Sequence, residues 1–161
     1  MNALVIYFSA TGNTREVALM IAEQAGADIY EIKLQKPLPE SEFGVYVKGI
    51  SMMLKKKNPA LKEDFPPLSA YDIVFIGTPV WGSKMAPPLK AFLEACPLSK
   101  QKIALFACYK AAGYEGCFKD MREALKDQEI VGELALTDHL AYDSDCRANS
   151  VKAWLEKIDG E

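Results

Sequence analysis

The chain alternates short apolar runs with segments in which apolar residues recur at helical spacing. Residues 3–8 form a continuous β-prone apolar run bounded by polar residues, which is typical of a strand buried on both faces. Apolar positions then recur every three or four residues over 13–25 and stop at Gly26, so this segment is predicted to be an amphipathic helix. A strand, a tight turn and a helix therefore open the chain.

The same alternation continues to the last residues. Further strands are predicted at 28–34, 73–77, 103–108 and 130–136, and further helices at 41–54, 87–95, 115–126 and 145–158. Five strands alternating with helices favour a three-layer α/β domain with an open, mainly parallel sheet, because right-handed crossovers carry helices onto both faces. The 161 residues suit one such domain, spanning 1–161.

Charge and composition exclude several classes of protein. With 19 basic and 22 acidic side chains, the net charge of -3 gives no cationic surplus for binding nucleic acid. No apolar stretch approaches the roughly 20 residues of a membrane span, and the N-terminus lacks a signal-peptide pattern. The four cysteines contain no CxxC pair, which disfavours a zinc site or a disulfide scaffold. We therefore expect a soluble, cytoplasmic protein with no membrane partner.

Candidate chemistry lies in three loops that follow predicted strands, where ligands bind in open parallel sheets. The loop 9–14 places hydroxyls and free N–H groups at a helix N-terminus, which suits a phosphate, although such residues also serve as plain helix caps. In the loop 78–85, Trp81 beside Gly82 could stack on a planar ring or be a partly buried core residue. The loop 108–117 brings tyrosines and glycines to the same rim.

These loops resemble those of short-chain flavodoxins, and the likeness spans nearly the whole chain. Ser9-Ala10-Thr11-Gly12-Asn13-Thr14 matches the family's [ST]-x-T-G-x-T phosphate loop, Trp81-Gly82 matches the second loop, and Tyr114-Glu115 with Cys117 resembles the third. The resemblance implies FMN as the cofactor and a sheet order of 2-1-3-4-5. It implies that Trp81 stacks on the flavin and that Gly82 begins a peptide that flips on reduction.

The resemblance also implies a set of residues around FMN. Tyr114 is expected over the second face of the ring, with Tyr109 as its competitor, while Thr78 and Pro79 are expected beside the ribityl chain and the dimethylbenzene ring. The full set implied is Ser9, Thr11, Gly12, Asn13, Thr14, Thr78, Pro79, Val80, Trp81, Gly82, Cys108, Tyr109, Gly113 and Tyr114.

Two lysines depart from the acidic pattern of low-potential flavodoxins. Lys84 and Lys110 stand where the family often has acidic residues, so cations beside the flavin would stabilise its reduced anion and make the second reduction potential less negative. The alternative is that both side chains extend into solvent. Lys55, Lys56 and Lys57 form either a partner-binding patch or an ordinary solvated helix end.

Other reactive groups receive simpler interpretations. Cys108 and Cys117 flank the third loop and could form a flavin-linked thiol pair, although small buried residues are usual at such places. His139, the only histidine, is interpreted as a surface residue because no catalytic triad or metal site can be built around it.

Three functional hypotheses follow from the resemblance. The first is an FMN-binding electron-transfer protein whose partners are redox proteins that dock at the flavin edge. The second is an FMN-dependent NAD(P)H:quinone-type reductase, for which a dimer partner or the segment 40–68 would have to supply a pocket wall. The third is a flavin-free regulatory domain on the same scaffold.

Overall fold

A computed structural model of the chain describes residues 1–55, 57–138 and 143–160. His139 and Lys56 lie outside the described residues, so their interpretations stay predictions. None of the described helices is long and apolar enough to cross a membrane.

Six strands and five helices follow one another along the described chain. In order they are β1 (Ala3–Tyr7), α1 (Asn13–Ala25), β2 (Asp28–Glu31), α2 (Glu42–Leu54), β3 (Ile73–Trp81), β4 (Lys84–Met85), α3 (Pro87–Ala95), β5 (Lys102–Tyr109), α4 (Tyr114–Ala124), β6 (Glu129–Thr137) and α5 (Ser144–Asp159). A short 3-10 turn at Leu68–Ala70 precedes β3.

The main sheet is parallel and has the order β2-β1-β3-β5-β6. The small strand β4 pairs only with β3, in antiparallel fashion, so the five principal strands have the predicted order 2-1-3-4-5. The predicted three-layer α/β fold is therefore confirmed. The chain order reverses between β1 and β3, and that position is where such sheets bind ligands.

Two apolar cores lie on opposite faces of the sheet. One face packs against α1 and α5 through residues such as Val17 and Trp154, and the other packs against α3 and α4 through residues such as Phe92 and Phe118. Strands β1 and β5 and the first part of β3 are buried on both faces, which explains their continuous apolar runs.

Two strand boundaries differ from their predicted positions by more than one residue. Strand β2 ends at Glu31, and Leu34 instead forms an isolated antiparallel bridge with Leu61. Strand β3 continues to Trp81 because the chain turns back there and pairs with β4 as a hairpin. The predicted second loop is thus largely a β-hairpin rather than irregular chain.

Candidate functional site

The three candidate loops meet at the carboxyl ends of β1, β3 and β5 and line one cavity of about 460 Å³. This volume lies within the range of about 300–1,000 Å³ that is usual for small-molecule and cofactor sites. The residues from the three loops and the adjacent helix start are Ala10, Thr11, Asn13, Thr14, Pro79, Val80, Trp81, Gly82, Cys108, Lys110, Ala111 and Ala112.

The first loop presents unused backbone donors at the start of α1. Gly12 has a φ of 101°, a left-handed conformation that glycine adopts without strain, and its N–H donates to Ser9 Oγ at 3.1 Å. Among the described hydrogen bonds, none uses the backbone N–H of Asn13 or Thr14. These free donors and the positive end of the helix suit a phosphate group. No side chain of this loop caps α1, because the Ser9 hydroxyl instead closes the turn that precedes the helix.

A cation beside this loop was not identified from the sequence. Arg15 lines a smaller cavity of about 380 Å³ next to the loop, together with Ser9 and Gly12. Its guanidinium pairs with the Glu31 carboxylate on β2, and that hydrogen bond raises the pKa of Arg15. The phosphate-loop motif requires no cation, so the sequence analysis did not single out Arg15. Its place beside the loop became evident only when the fold brought Glu31 on β2 next to it.

Trp81 both lines the cavity and packs against the core, which are the two alternatives that the sequence left open. Its ring lines the cavity and is half-buried, with the edge of Phe8 at a centroid distance of 5.9 Å. Helix α2 approaches the indole closely at Gly49, where an added Cβ would lie 3.3 Å from Trp81 Cζ3. The indole is therefore held by packing while part of it faces the space that a planar ligand would occupy.

The second loop owes its shape to a tight hairpin. Gly82 and Ser83 have φ values of 55° and 59°, the pattern of a type I′ turn, whose twist suits a two-residue hairpin. Thr78 is fully buried and does not line the cavity. Its hydroxyl donates to the Pro79 carbonyl and accepts from the Ala86 N–H, each at 3.0 Å. Thr78 thus holds together the base of the hairpin, and its expected place beside a ribityl chain stays a prediction.

The third loop does not place a tyrosine over the cavity. Tyr109 and Tyr114 pack against each other with ring centroids 4.8 Å apart, and Tyr114 also contacts Phe118. Neither tyrosine lines the cavity, and neither does Gly113, which starts α4 and lies against Ser83 of the hairpin. Hence the structure does not bring the expected second aromatic ring to the cavity.

The two cysteines that flank this loop lie in different cores. Cys108 belongs to the core beneath α1 and α5, whereas Cys117 belongs to the core beneath α3 and α4. Burial raises the pKa of each thiol to about 12. Since the sheet separates the two side chains and both stay protonated, the hypothesis of a flavin-linked thiol pair is not supported.

The two lysines beside the site differ in their surroundings. Lys84 Nζ lies 3.1 Å from Asp120 Oδ1 on α4, so its charge is paired outside the cavity. Lys110 is exposed, lines the cavity and takes part in none of the described ion pairs. Of these two cations, Lys110 is the one that could act on a ligand in the cavity.

Helix α2 supplies a wall that the loop motifs did not reveal. Its residues along the cavity are Glu42, Val45, Tyr46, Gly49, Ile50 and Met53. The sequence predicts the helix, but no local signal places it beside Trp81. A second missed residue is Asp138, at the end of β6, whose Oδ1 is buried in the cavity wall without a partner among the described residues. That oxygen is available to accept a hydrogen bond from a ligand hydroxyl.

Comparisons with known proteins agree with this architecture. In the solved structures, a flavoprotein from Lactobacillus acidophilus in complex with FMN has a TM-score of 0.75 at 18% identity, covering 96% of this chain and 98% of that chain. A candidate flavoprotein from Bacteroides uniformis has a TM-score of 0.83 at 23% identity, covering 96% and 97%. Oxidised flavodoxin 1 from Bacillus cereus has a TM-score of 0.56 at 18% identity, covering 97% and 98%.

At these identities the structural likeness shows the fold alone. Among curated proteins, none matches the chain in sequence. The family model described as Flavodoxin matches residues 2–158, which is nearly the whole chain. The chain therefore belongs to the flavodoxin family, whose cofactor is FMN.

Proposed function

We propose that this protein binds FMN in the main cavity and transfers electrons between redox proteins that dock at its mouth. The observation that carries the proposal is the continuity of the cavity, which runs from the unused N–H groups of the phosphate loop to the Trp81 indole and the apolar wall of α2. A ligand with an anion at one end and a planar apolar ring at the other fits this distribution of donors and apolar surface.

The residues present match the groups of FMN. The N–H groups of Asn13 and Thr14 would hold the phosphate, the unpartnered oxygen of Asp138 would accept from a ribityl hydroxyl, and Trp81 would contact the ring. Bound FMN supplies one-electron and two-electron redox chemistry. The protein binds and orients the cofactor, excludes water from the side of the ring that faces the cavity wall, and sets the local charge through Lys110.

A second candidate is an FMN-dependent reductase that takes hydride from NAD(P)H and passes it to a quinone-type acceptor. One observation favours it: α2, from the segment 40–68, supplies an apolar wall beside Trp81, as a pocket for a second substrate would require. Lys110, which forms no ion pair with the described residues, would also suit an anionic nicotinamide nucleotide.

The visible spectrum of the purified protein separates these functions. We expect a yellow protein, or a colourless one that gains flavin absorbance when FMN is added, and reduction of that flavin by dithionite. Absence of FMN binding would overturn both functions. Stable reduction by dithionite with no response to NADH or NADPH supports the carrier, whereas bleaching by NAD(P)H with turnover on a quinone supports the reductase.

A further inference from the structure

Helix α2 is apolar on two faces, and only one of them is buried. Val45, Gly49 and Met52 face inward. A second set, which we call the outer stripe, is exposed and consists of Phe43, Tyr46, Val47, Ile50, Met53 and Leu54. The spacing of these positions puts them on one face of the helix, and Phe43 and Leu54 at its two ends are 76% and 80% exposed.

The outer stripe is unlike the rest of the described surface. Its six members account for most of the large apolar side chains that are exposed, and the others, Met1, Leu19 and Ile29, are not on this helix. The 13-residue helix makes the stripe about 20 Å long. Isolated apolar residues on a surface need no explanation, but a contiguous apolar patch of this kind marks an interaction site.

Opposite charges lie at the two ends of the stripe. Glu40 and Glu42 lie at the N-terminal end of α2, and Lys55 and Lys57 lie at its C-terminal end. All four are exposed, and none takes part in an ion pair among the described residues. An antiparallel copy of the same helix would place acidic residues against lysines at both ends.

We propose that the outer stripe binds a second copy of this chain, with the two α2 helices antiparallel across a two-fold axis. A two-fold interface must be self-complementary. An axis between Lys48 and Gly49 pairs Phe43 with Leu54 and Val47 with Ile50. The same axis places Glu42, the first residue of the helix, level with Lys55, which follows its last residue.

The dimer completes the wall of the cavity. Tyr46, Ile50 and Met53 belong both to the outer stripe and to the cavity lining, so the stripe is continuous with the cavity mouth. The partner's α2 helix would lie along that mouth and contribute apolar side chains to its rim. This inference is independent of FMN, because the outer stripe and the end charges are features of the protein alone.

The mass of the full chain in solution tests the proposal. Light scattering and analytical ultracentrifugation should give about twice the 17.8 kDa of one chain, with dissociation on dilution. Leu54→Glu places a charge in the stripe and should raise the dimer dissociation constant at least tenfold. Leu19→Glu, a matched change at an exposed leucine of α1, should leave that constant unchanged. A monomer at every concentration, or equal effects of the two substitutions, would overturn the proposal.

Charge reversal tests the antiparallel register. Glu42→Lys and Lys55→Glu should each weaken the dimer, because each places like charges together across the interface. The double variant should regain most of the lost affinity, since both pairs are restored with exchanged signs. All four residues at the ends are exposed, so these variants should keep the circular dichroism spectrum of the parent. Failure of the double variant to recover affinity would overturn the proposed pairing.

Discussion

The Lys84 ammonium lies 3.1 Å from the Asp120 carboxylate, and the second oxygen of that carboxylate accepts the Met85 N–H at 3.2 Å. Asp120 thus links α4 to the β3–β4 hairpin and holds the lysine charge outside the cavity. Lys110 has no such partner among the described residues. The sequence analysis expected the same effect from Lys84 and Lys110, but their positions in the fold give them different electrostatic roles.

Replacing Lys110 with Gln should make the second reduction potential of bound FMN more negative. Loss of a cation at the cavity destabilises the reduced anion, and about 1.4 kcal/mol corresponds to about 60 mV for one electron. We expect a shift of tens of millivolts for Lys110→Gln and a smaller one for Lys84→Gln, measured by redox titration at low ionic strength. Equal shifts in the two variants would contradict the assigned difference between the lysines.

Replacing Trp81 with Ala should weaken FMN binding at least tenfold, or by about 1.4 kcal/mol, because the flavin ring loses its contact with the indole. Fluorescence titration of the apoprotein with FMN measures this change. Trp154, which is buried against Phe75 in the core on the opposite side of the sheet, provides the control. Trp154→Phe should reduce stability without changing FMN affinity, and unchanged affinity in Trp81→Ala would identify Trp81 as a packing residue only.

Thiol labelling should distinguish the exposed cysteine from the two buried ones in the native protein. Cys146 is exposed and should react first, whereas burial raises the pKa of Cys108 and Cys117 to about 12. Such buried thiols stay protonated at pH 8, so labelling of these two should require denaturant. Cys146→Ser should abolish the fast phase, and rapid native labelling of Cys108 would contradict the assigned burial.

The same pKa shifts make stability depend on pH. Because Cys108 and Cys117 bind protons more tightly in the folded chain, the unfolded chain loses these protons first as pH rises. Their effect is therefore a loss of stability from about pH 9 towards pH 12. Urea denaturation at pH 8 and pH 10 would measure it, and substitution of both cysteines by Ala should reduce the pH dependence.

Replacing Glu16 with Ala should destabilise the fold although most of its side chain is exposed. Arg147 is fully buried, and its Nη1 donates to Glu16 Oε2 at 2.9 Å while Nη2 donates to the Thr137 carbonyl at 3.4 Å. Loss of Glu16 leaves a buried cation with one long hydrogen bond among the described residues, the one to the Thr137 carbonyl. We expect a loss of about 1 to 2 kcal/mol in urea denaturation, after allowing for solvent screening. Glu23→Ala, another exposed glutamate of α1, should have little effect.

Much of the fold was predictable because its signals are local. Strand β1 carries the continuous apolar run of a strand buried on both faces, helix α1 carries the 3.6-residue periodicity of a half-buried helix, and Gly26 ends that helix in the left-handed conformation. The hairpin after β3 was not predicted, because its turn residues, Gly82 and Ser83, stand within a stretch that resembles a ligand loop. The phosphate-loop motif could be recognised because its residues are consecutive in the sequence.

By itself, the sequence determined the alternation of strands and helices and the phosphate-loop motif, since each depends on residues close together along the chain, whereas the order of the sheet was implied by the family resemblance. Tertiary structure decided which side chains share the cavity. It placed α2 and Asp138 in the wall, packed Tyr109 on Tyr114 away from it and paired Lys84 with Asp120. These contacts join residues that are distant in sequence, and the packing geometry that selects among them is set by the whole fold rather than by any local pattern.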